Sequence, residues 1–409
     1  MDANVDLIYR IARIIAGDAD AVGKIAAADG PEVVAVLQRH CIGPLLYDAL
    51  KKSDQLNTLP AEMISALERE SRAVAAHNML LLHAHARIAR AAAAAGLPLM
   101  PLKGIRYIES IYSPEQRPLT DVDYLIRSEH RLEFKALMQN LGYTLRENAI
   151  TREFEEAYSG EYHFMSETGG SVADVEMHYE LIPMLTLRAA YPLNPERLWM
   201  HATIKNGISI PRIEHDVLFV AVHLAAVHCF SRLIWLADID RLVRAAEKFD
   251  WDFLWDEARA ARAGRLLAAV LRATQRFFST PLNSGDMTEI SSSISARVPR
   301  EFNTPVKSKD RVSREFPRLA ARSPRRISGA RVDSWIAGSA GALEIGMVPF
   351  LLSDNPARHI LGQLFPSPRF VRLRYNVPAW RVPFFYAARP FALAKNALAA
   401  RRFDKVDTH

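Results

Sequence analysis

The sequence predicts an α+β fold, a mixed β-sheet core flanked by N-terminal and C-terminal helical regions, and three observations predict it. Apolar residues recur at helical spacing over residues 6–96, short apolar runs with a two-residue period follow over 97–179, and helical spacing returns over 214–278. The period of an apolar pattern is the main sequence signature of the element that buries it. Strands that include a hairpin, interleaved with helices, favour a mixed sheet over a doubly wound parallel one.

In chain order, Leu7, Ile11, Ile14 and Ile15 make one apolar stripe, Val33, Val36 and Leu37 another, and residues 61–95 read as one long or broken helix. Its alanine run favours helix and Gly96 supplies the stop. Residues 97–102 are short, apolar and punctuated by proline, which predicts a strand, and Lys103-Gly104 opens a helix to about Tyr112. After a polar loop over 113–120, residues 122–126 read as a strand and 129–140 as a helix, with Gly142 as its C-cap. Residues 162–165 and 171–179 predict a hairpin across Glu167-Thr168-Gly169-Gly170. Residues 183–211 read as a proline-spaced connector anchored by Trp199, 214–230 and 233–249 as a helical pair, and 251–278 as a further helical stretch. Beyond it the pattern decays into serine, proline and arginine, the composition of a flexible basic linker. The expected regions are therefore an N-terminal helical region (1–96), a sheet core (97–182), a helical region completing a cleft (183–279), the linker (280–333) and a C-terminal region rich in proline, aromatics and arginine (334–409).

A net charge of +6 and a pI near 9.3 suit an anionic partner, whether nucleotide, nucleic acid or membrane surface. The two cysteines, Cys41 and Cys229, lie far apart in the chain. They give no support to a disulfide framework or a thiolate zinc site, and fit a cytoplasmic location. The N-terminus lacks the basic-then-apolar order of a secretory signal. The longest weakly polar stretch, 335–352, is broken by Glu344, glycines and Pro349, so no transmembrane segment is expected.

The chemistry-bearing residues gather in the sheet core. Asp121 and Asp123 sit two apart between apolar residues, and alternate side chains of a strand share a face, so both carboxylates project together. Adjacent anions repel, and a divalent cation with oxygen ligands is the usual agent that offsets the repulsion. In the second hairpin strand Asp174, Glu176 and His178 alternate with Val175, Met177 and Tyr179, so that strand has a polar face as well. Two strands of one sheet then present acids to one side, and Glu176 or Asp174 could supply the third carboxylate of a set suited to two-metal phosphoryl or nucleotidyl transfer. Upstream, Gly104 at a helix N-terminus lets backbone N–H groups approach a phosphate. Lys103 and Arg117 are natural charge partners for a triphosphate, and Thr120 lies next to the acidic pair.

Leu102-Lys103-Gly104, Arg117, Asp121-Val122-Asp123-Tyr124-Leu125-Ile126 and, after a helix, Gly142-Tyr143 resemble the uncharacterised nucleotidyltransferase family of the DNA polymerase beta-like superfamily. Val175-Glu176-Met177-His178-Tyr179-Glu180-Leu181 is similar to that family's later acidic, apolar, histidine and aromatic stretch, and residues 223–238 and 364–375 resemble its helical region and tail. The likeness is densest over 97–243. It implies a nucleotidyltransferase-type core and a magnesium- or manganese-dependent enzyme that moves a nucleoside monophosphate from ATP or another NTP onto an acceptor, releasing pyrophosphate. The same resemblance places Glu176 as the third carboxylate beside Asp121 and Asp123, the expected catalytic metal ligands. Asp174, on the face of Glu176, ranks second as a metal ligand, and Lys103, Gly104, Arg117, Thr120 and Asp238 are the expected nucleotide-binding residues. The wider superfamily has Gly-Gly or Gly-Ser where this chain has Lys103-Gly104, and its acidic pair follows that turn more closely. The acceptor is a small molecule, a saccharide or a peptide. Two alternatives stay open: an ATP-dependent phosphotransferase on the same site, and a non-catalytic nucleotide- or nucleic-acid-binding module that uses the basic tail.

The remaining polar residues carry plainer expectations. His83 and His85, two apart on a helix, point in different directions, and His223 and His228, five apart, are expected to diverge. His178 is either an orienting group at the site or a satisfied, hydrogen-bonded histidine. Asp238 either buttresses an arginine or lines the nucleotide cleft, because an unpaired buried carboxylate is costly. The basic run 297–331 lacks the interleaved aromatics of a single-strand binder. The aromatic and arginine-rich stretch 370–391 is read as lying on a membrane surface or a partner, or else back on the helical region.

Overall fold

The computed structural model describes residues 3–18, 21, 22, 25, 30–108, 110–146, 152–168, 171–282, 329–338, 340 and 342–389. Its N-terminal layer holds α1 (Ala3–Ile15), α2 (Gly30–His40), α3 (Gly43–Lys52) and the long α4 (Ala61–Ala94). Along α4 the buried positions recur every three, four or seven residues, among them Leu67, Ser71, Asn78, Leu81 and Ile88, the single stripe of a helix packed on one side. Gly96, at φ +66°, adopts the left-handed conformation that glycine takes without steric cost and turns the chain into the sheet.

Five strands follow: β1 (Leu99–Leu102), β2 (Val122–Ile126), β3 (Thr144–Leu145), β4 (Glu161–Thr168) and β5 (Ser171–His178). They lie in the order β1-β2-β5-β4-β3, with β2 and β5 parallel and the other neighbours antiparallel. The sheet is mixed, as the pattern of strands and helices predicts. Between the strands run α5 (Lys103–Tyr107), α6 (Arg131–Asn140) and α7 (Arg152–Tyr158). The helix expected to reach Tyr112 ends at Tyr107, because Ile108 is extended and the chain enters a turn. Tyr124 of β2 points back to α4, where its hydroxyl meets His85 Nδ1 at 2.8 Å, so the face carrying Val122, Tyr124 and Ile126 is covered and the alternate face carries Asp123.

The stretch read as a connector is more ordered than its prolines suggest. It contains α8 (Leu185–Ala190), α9 (Pro195–Met200) and a small hairpin of β6 (Thr203–Lys205) and β7 (Ile208–Ile210). Asn206 and Gly207 both take positive φ at its tip, as a tight hairpin turn requires. Trp199 is buried there as an anchor, with the Arg127 guanidinium 5.0 Å from its ring.

The second helical layer holds α10 (Ile213–Val222), α11 (Ile234–Ala245), α12 (Trp251–Ala260) and α13 (Gly264–Phe278). The stretch 251–278 is thus two helices, interrupted where Arg262 takes φ +54°. Helix α13 meets the N-terminal layer through Phe277, whose ring lies 6.1 Å from that of Tyr9 on α1. The apolar core runs without a break from α1 through the sheet to α13 and on to α14 (Gly329–Ala337). Then come α15 (Ala342–Leu352), α16 (Pro356–Leu364) and α17 (Pro368–Tyr375). The expected basic linker, 280–333, lies largely outside the described residues. Among the described residues no helix is long and apolar enough to cross a membrane.

Candidate functional site

The polar face of the sheet is set by register. The parallel pairing of β2 with β5 places Asp123 beside Glu176, and the antiparallel pairing of β5 with β4 places Glu176 beside His163 and His178 beside Glu161. Paired residues point to the same side of a sheet, so three strands deliver carboxylates and imidazoles to one surface. On the other flank Leu102, the last residue of β1, pairs with Asp123. The chain then turns at Lys103, which sends Nζ to Asp123 Oδ1 at 2.7 Å.

The resulting cluster is tightly charge-matched. His178 Nε2 lies 3.0 Å from Asp123 Oδ1 and 3.4 Å from Glu176 Oε2, and its Nδ1 is 2.9 Å from Glu161 Oε2. His163 bridges Glu161 (2.9 Å) and Glu176 (3.3 Å). Burial alone favours a neutral His178, but the carboxylates of Asp123, Glu161 and Glu176 outweigh it and hold the imidazole protonated well above its usual range. For His163 the bonds to Glu161 and Glu176 dominate and raise it to about 10. Burial opposes ionisation of Glu176 and Glu161, yet the two histidines keep Glu176 well below the carboxylate range and Glu161 at about 2. Ligand atoms of Asp123, Glu176 and His178 lie within 4.8 Å of one another, a spacing that can hold a metal ion. The two hard carboxylates suit a divalent cation, and the imidazole can join them as a ligand only after giving up the proton these carboxylates hold on it.

Asp121 lies one residue before β2 and outside that group. Burial first, then the neighbouring Asp123 charge, push its carboxyl up to about 7, against the pull of Lys103 and a hydrogen bond with Thr120. Thr120 itself is exposed. Asp174 lies two residues before Glu176, opposite Met165, and is likewise outside the group.

At the other end of the site the charges are committed to each other. Arg117 forms a two-pronged pair with Asp238 of α11, Nε to Oδ1 at 2.8 Å and NH2 to Oδ2 at 2.7 Å, with side chains 7% and 0% exposed. Of the two expectations for Asp238, the structure displays the buttress: this carboxylate holds an arginine. Asn78 of α4 locks the same loop, donating to the carbonyls of Pro114 (2.6 Å) and Arg117 (2.8 Å) and accepting from the Leu119 N–H (3.2 Å). Gly104 lies directly under this pair, so that a Cβ there would meet the Arg117 guanidinium and the Leu119 side chain. Lys103 has φ +49°, the left-handed conformation that glycine takes most readily.

His223 and His228 do not diverge. After α10 the backbone opens into a π-helical turn, His223–Val227, in which the His228 N–H bonds the His223 carbonyl at 3.0 Å. This i to i+5 turn is wider than an α-helical one and brings residues five apart together: the two Nε2 atoms are 2.9 Å apart, with Trp235 against both rings. Burial and the nearby Lys103 charge lower His223 well below its usual range and His228 to about 4, so both are neutral at pH 7. Lys103 Nζ also lies 5.6 Å from the ring of Phe219, four residues before His223, so this helix roofs the site.

Sequence reasoning missed Glu161, His163 and Asn78. The first two had a signal, since they alternate with Tyr162 and Phe164 as Glu176 and His178 alternate with Met177 and Tyr179. Asn78 is a polar residue in the buried stripe of α4, a position that calls for a hydrogen-bond partner.

No curated protein and no solved structure matches the chain. The family model of uncharacterised nucleotidyltransferases matches residues 26–279, more than half of the chain and every element that builds the cluster. The mixed sheet with its flanking helices is accordingly an α+β nucleotidyltransferase fold, and the chain belongs to the uncharacterised nucleotidyltransferase family.

Proposed function

We propose that the protein is a cytoplasmic, divalent-metal-dependent nucleotidyltransferase that moves the nucleoside monophosphate of ATP, or of another NTP, onto a small-molecule, saccharide or peptide acceptor. The observation that carries this reading is the registered pair of Asp123 and Glu176 on parallel strands, with Lys103 at the end of β1 beside them. Asp123 and Glu176 would hold magnesium or manganese, with Asp121 as the third carboxylate and Asp174 as a further ligand. A bound divalent cation supplies charge for the developing pyrophosphate and makes an acceptor hydroxyl more acidic. The acceptor oxygen bonds to the α-phosphorus as the bond to the bridging oxygen of pyrophosphate breaks.

The chain's own contribution is positioning and charge. Lys103 and Thr120 face the triphosphate, while Arg117, held by Asp238 and packed over Gly104, fixes the loop that carries Thr120 and Asp121. Glu161 and His163 orient Glu176 from the neighbouring strand.

Incubation with Mg2+, cell extract as acceptor source and ATP labelled at the α- or the γ-phosphate tests the reading. α-Label in a product supports nucleotidyl transfer, and γ-label alone replaces it with phosphotransfer. If neither label is transferred and wild type and Asp123→Asn bind Mn2+ and ATP equally, the enzyme reading fails in favour of a binding module.

A further inference from the structure

One stretch of the chain carries positive charge with no acid among it: between Asn355 and Arg389 there are six arginines and no aspartate, glutamate or lysine. The absence of acids continues in sequence to Phe403.

The same stretch is fixed to the body by a few buried side chains. Val371 and Val382 are buried, and Phe370 inserts between Phe154 and Tyr158 of α7 with ring centroids 5.4 and 5.3 Å away. Several large side chains of the stretch are exposed: Trp380 is 64% exposed, Phe384 68% and Phe365 53%, and Ile360, Leu361, Arg369, Arg372, Arg374 and Arg381 are exposed as well. Large rings and aliphatics exposed to water call for a cover, and a cover with phosphates would match the exposed arginines among them. Bases stacking on the rings would leave Ile360 and Leu361 unmatched, whereas the boundary of a bilayer takes aromatic and aliphatic groups alike.

We propose that residues 355–389 dock the protein on an anionic membrane surface, with Trp380, Phe384 and Phe365 entering the interface and Arg372, Arg374 and Arg381 meeting lipid phosphates. The contact is peripheral, and it does not depend on the transferase reading.

Flotation with phosphatidylcholine vesicles, with and without about 30 mol % phosphatidylglycerol, tests it, the anionic lipid being the source of the surface potential. The full chain should float only with the anionic vesicles and be released by salt. Changing Arg372, Arg374 and Arg381 to Gln should weaken binding about fivefold each, and about a hundredfold together. Trp380→Ala with Phe384→Ala should weaken it about tenfold or more, while unchanged melting by circular dichroism shows that these exposed positions leave the fold intact. Equal flotation with neutral vesicles, binding unmoved by either set of changes, or displacement from vesicles by a single-stranded oligonucleotide that binds more tightly would overturn the proposal.

Discussion

The strand end and the turn end of the site carry similar charges on opposite terms. On the strands, Lys103 and Glu176 keep 11% and 24% of their side-chain surface exposed, and the cluster of Asp123, Glu176 and His178 is spaced for an incoming cation. At the turn, Arg117 and Asp238 are closed on each other. The strand charges are arranged by a two-residue period and by register, both local properties. The turn charges find each other across 121 residues of chain. A cation in a phosphate-binding motif is free for a ligand only if no acid elsewhere in the fold has claimed it.

The sharpest test of that contrast is Asp238→Asn. Removing one partner of a buried ion pair leaves the other uncompensated and costs about 3 to 5 kcal/mol, read as a large fall in melting temperature. Arg117→Met with Asp238→Leu, which removes both charges and keeps apolar volume, should restore most of it. If Asp238→Asn melts like wild type and only raises KM for ATP, Arg117 serves the triphosphate directly and the two ends work alike. Asp123→Asn should do the reverse. Nucleotidyl transfer, followed by α-label, should drop about a thousandfold, the scale of losing a group that stabilises transition-state charge. Melting should fall less than in Asp238→Asn, because Glu176 remains as a partner for His178 and its charge still acts on Lys103. A stability loss equal to that of Asp238→Asn would erase the distinction.

The same contrast governs what was legible in the sequence. Strand β2 was readable residue for residue, and the alternation of Asp174, Glu176 and His178 with apolar neighbours placed Glu176 on the face of Asp123. Gly96 and Gly142 marked helix ends because both need positive φ. What was not legible depended on geometry without a periodic signature. Nothing in the spacing of His223 and His228 announces a π-helical turn, so an α-helical reading separates two rings that in fact touch. The choice between buttress and cleft wall for Asp238 needed the tertiary placement of α11. The Asn206-Gly207 turn was visible in principle but lay among prolines that pointed to irregular chain.

Gly104→Ala tests how closed the turn end is. The added Cβ meets the ends of two side chains, Arg117 and Leu119, and such contacts cost little when the side chain can swing away. Arg117 is pinned by Asp238, so the clash should cost about 1 to 3 kcal/mol in thermal unfolding, the range for overpacked interiors. The cost should shrink in an Arg117→Ala background, where the guanidinium is gone. A normal melting temperature with raised KM for ATP would instead assign Gly104 to close phosphate approach, as the motif alone suggests.

A second buried aspartate at the turn end has an effect spread over pH. Asp216 on α10 is as buried as Asp238, but its nearest guanidinium, Arg106, stays 3.9 Å away. Burial raises its carboxyl from 3.8 to about 7, offset in part by Arg106 and the nearby Tyr107 hydroxyl and reinforced by the charges of Asp238 and Glu214. The folded chain therefore keeps a proton that the unfolded chain releases, and stability falls as pH rises from about 4 to about 7 and then levels off. The slope from this one group is at most about 1.4 kcal/mol per pH unit. Asp216→Asn, which is neutral throughout, should flatten that part of the melting curve against pH when compared with wild type. An unchanged difference across the window would mean that Asp216 is ionised in the folded chain, and that the turn end is closed by pairing alone.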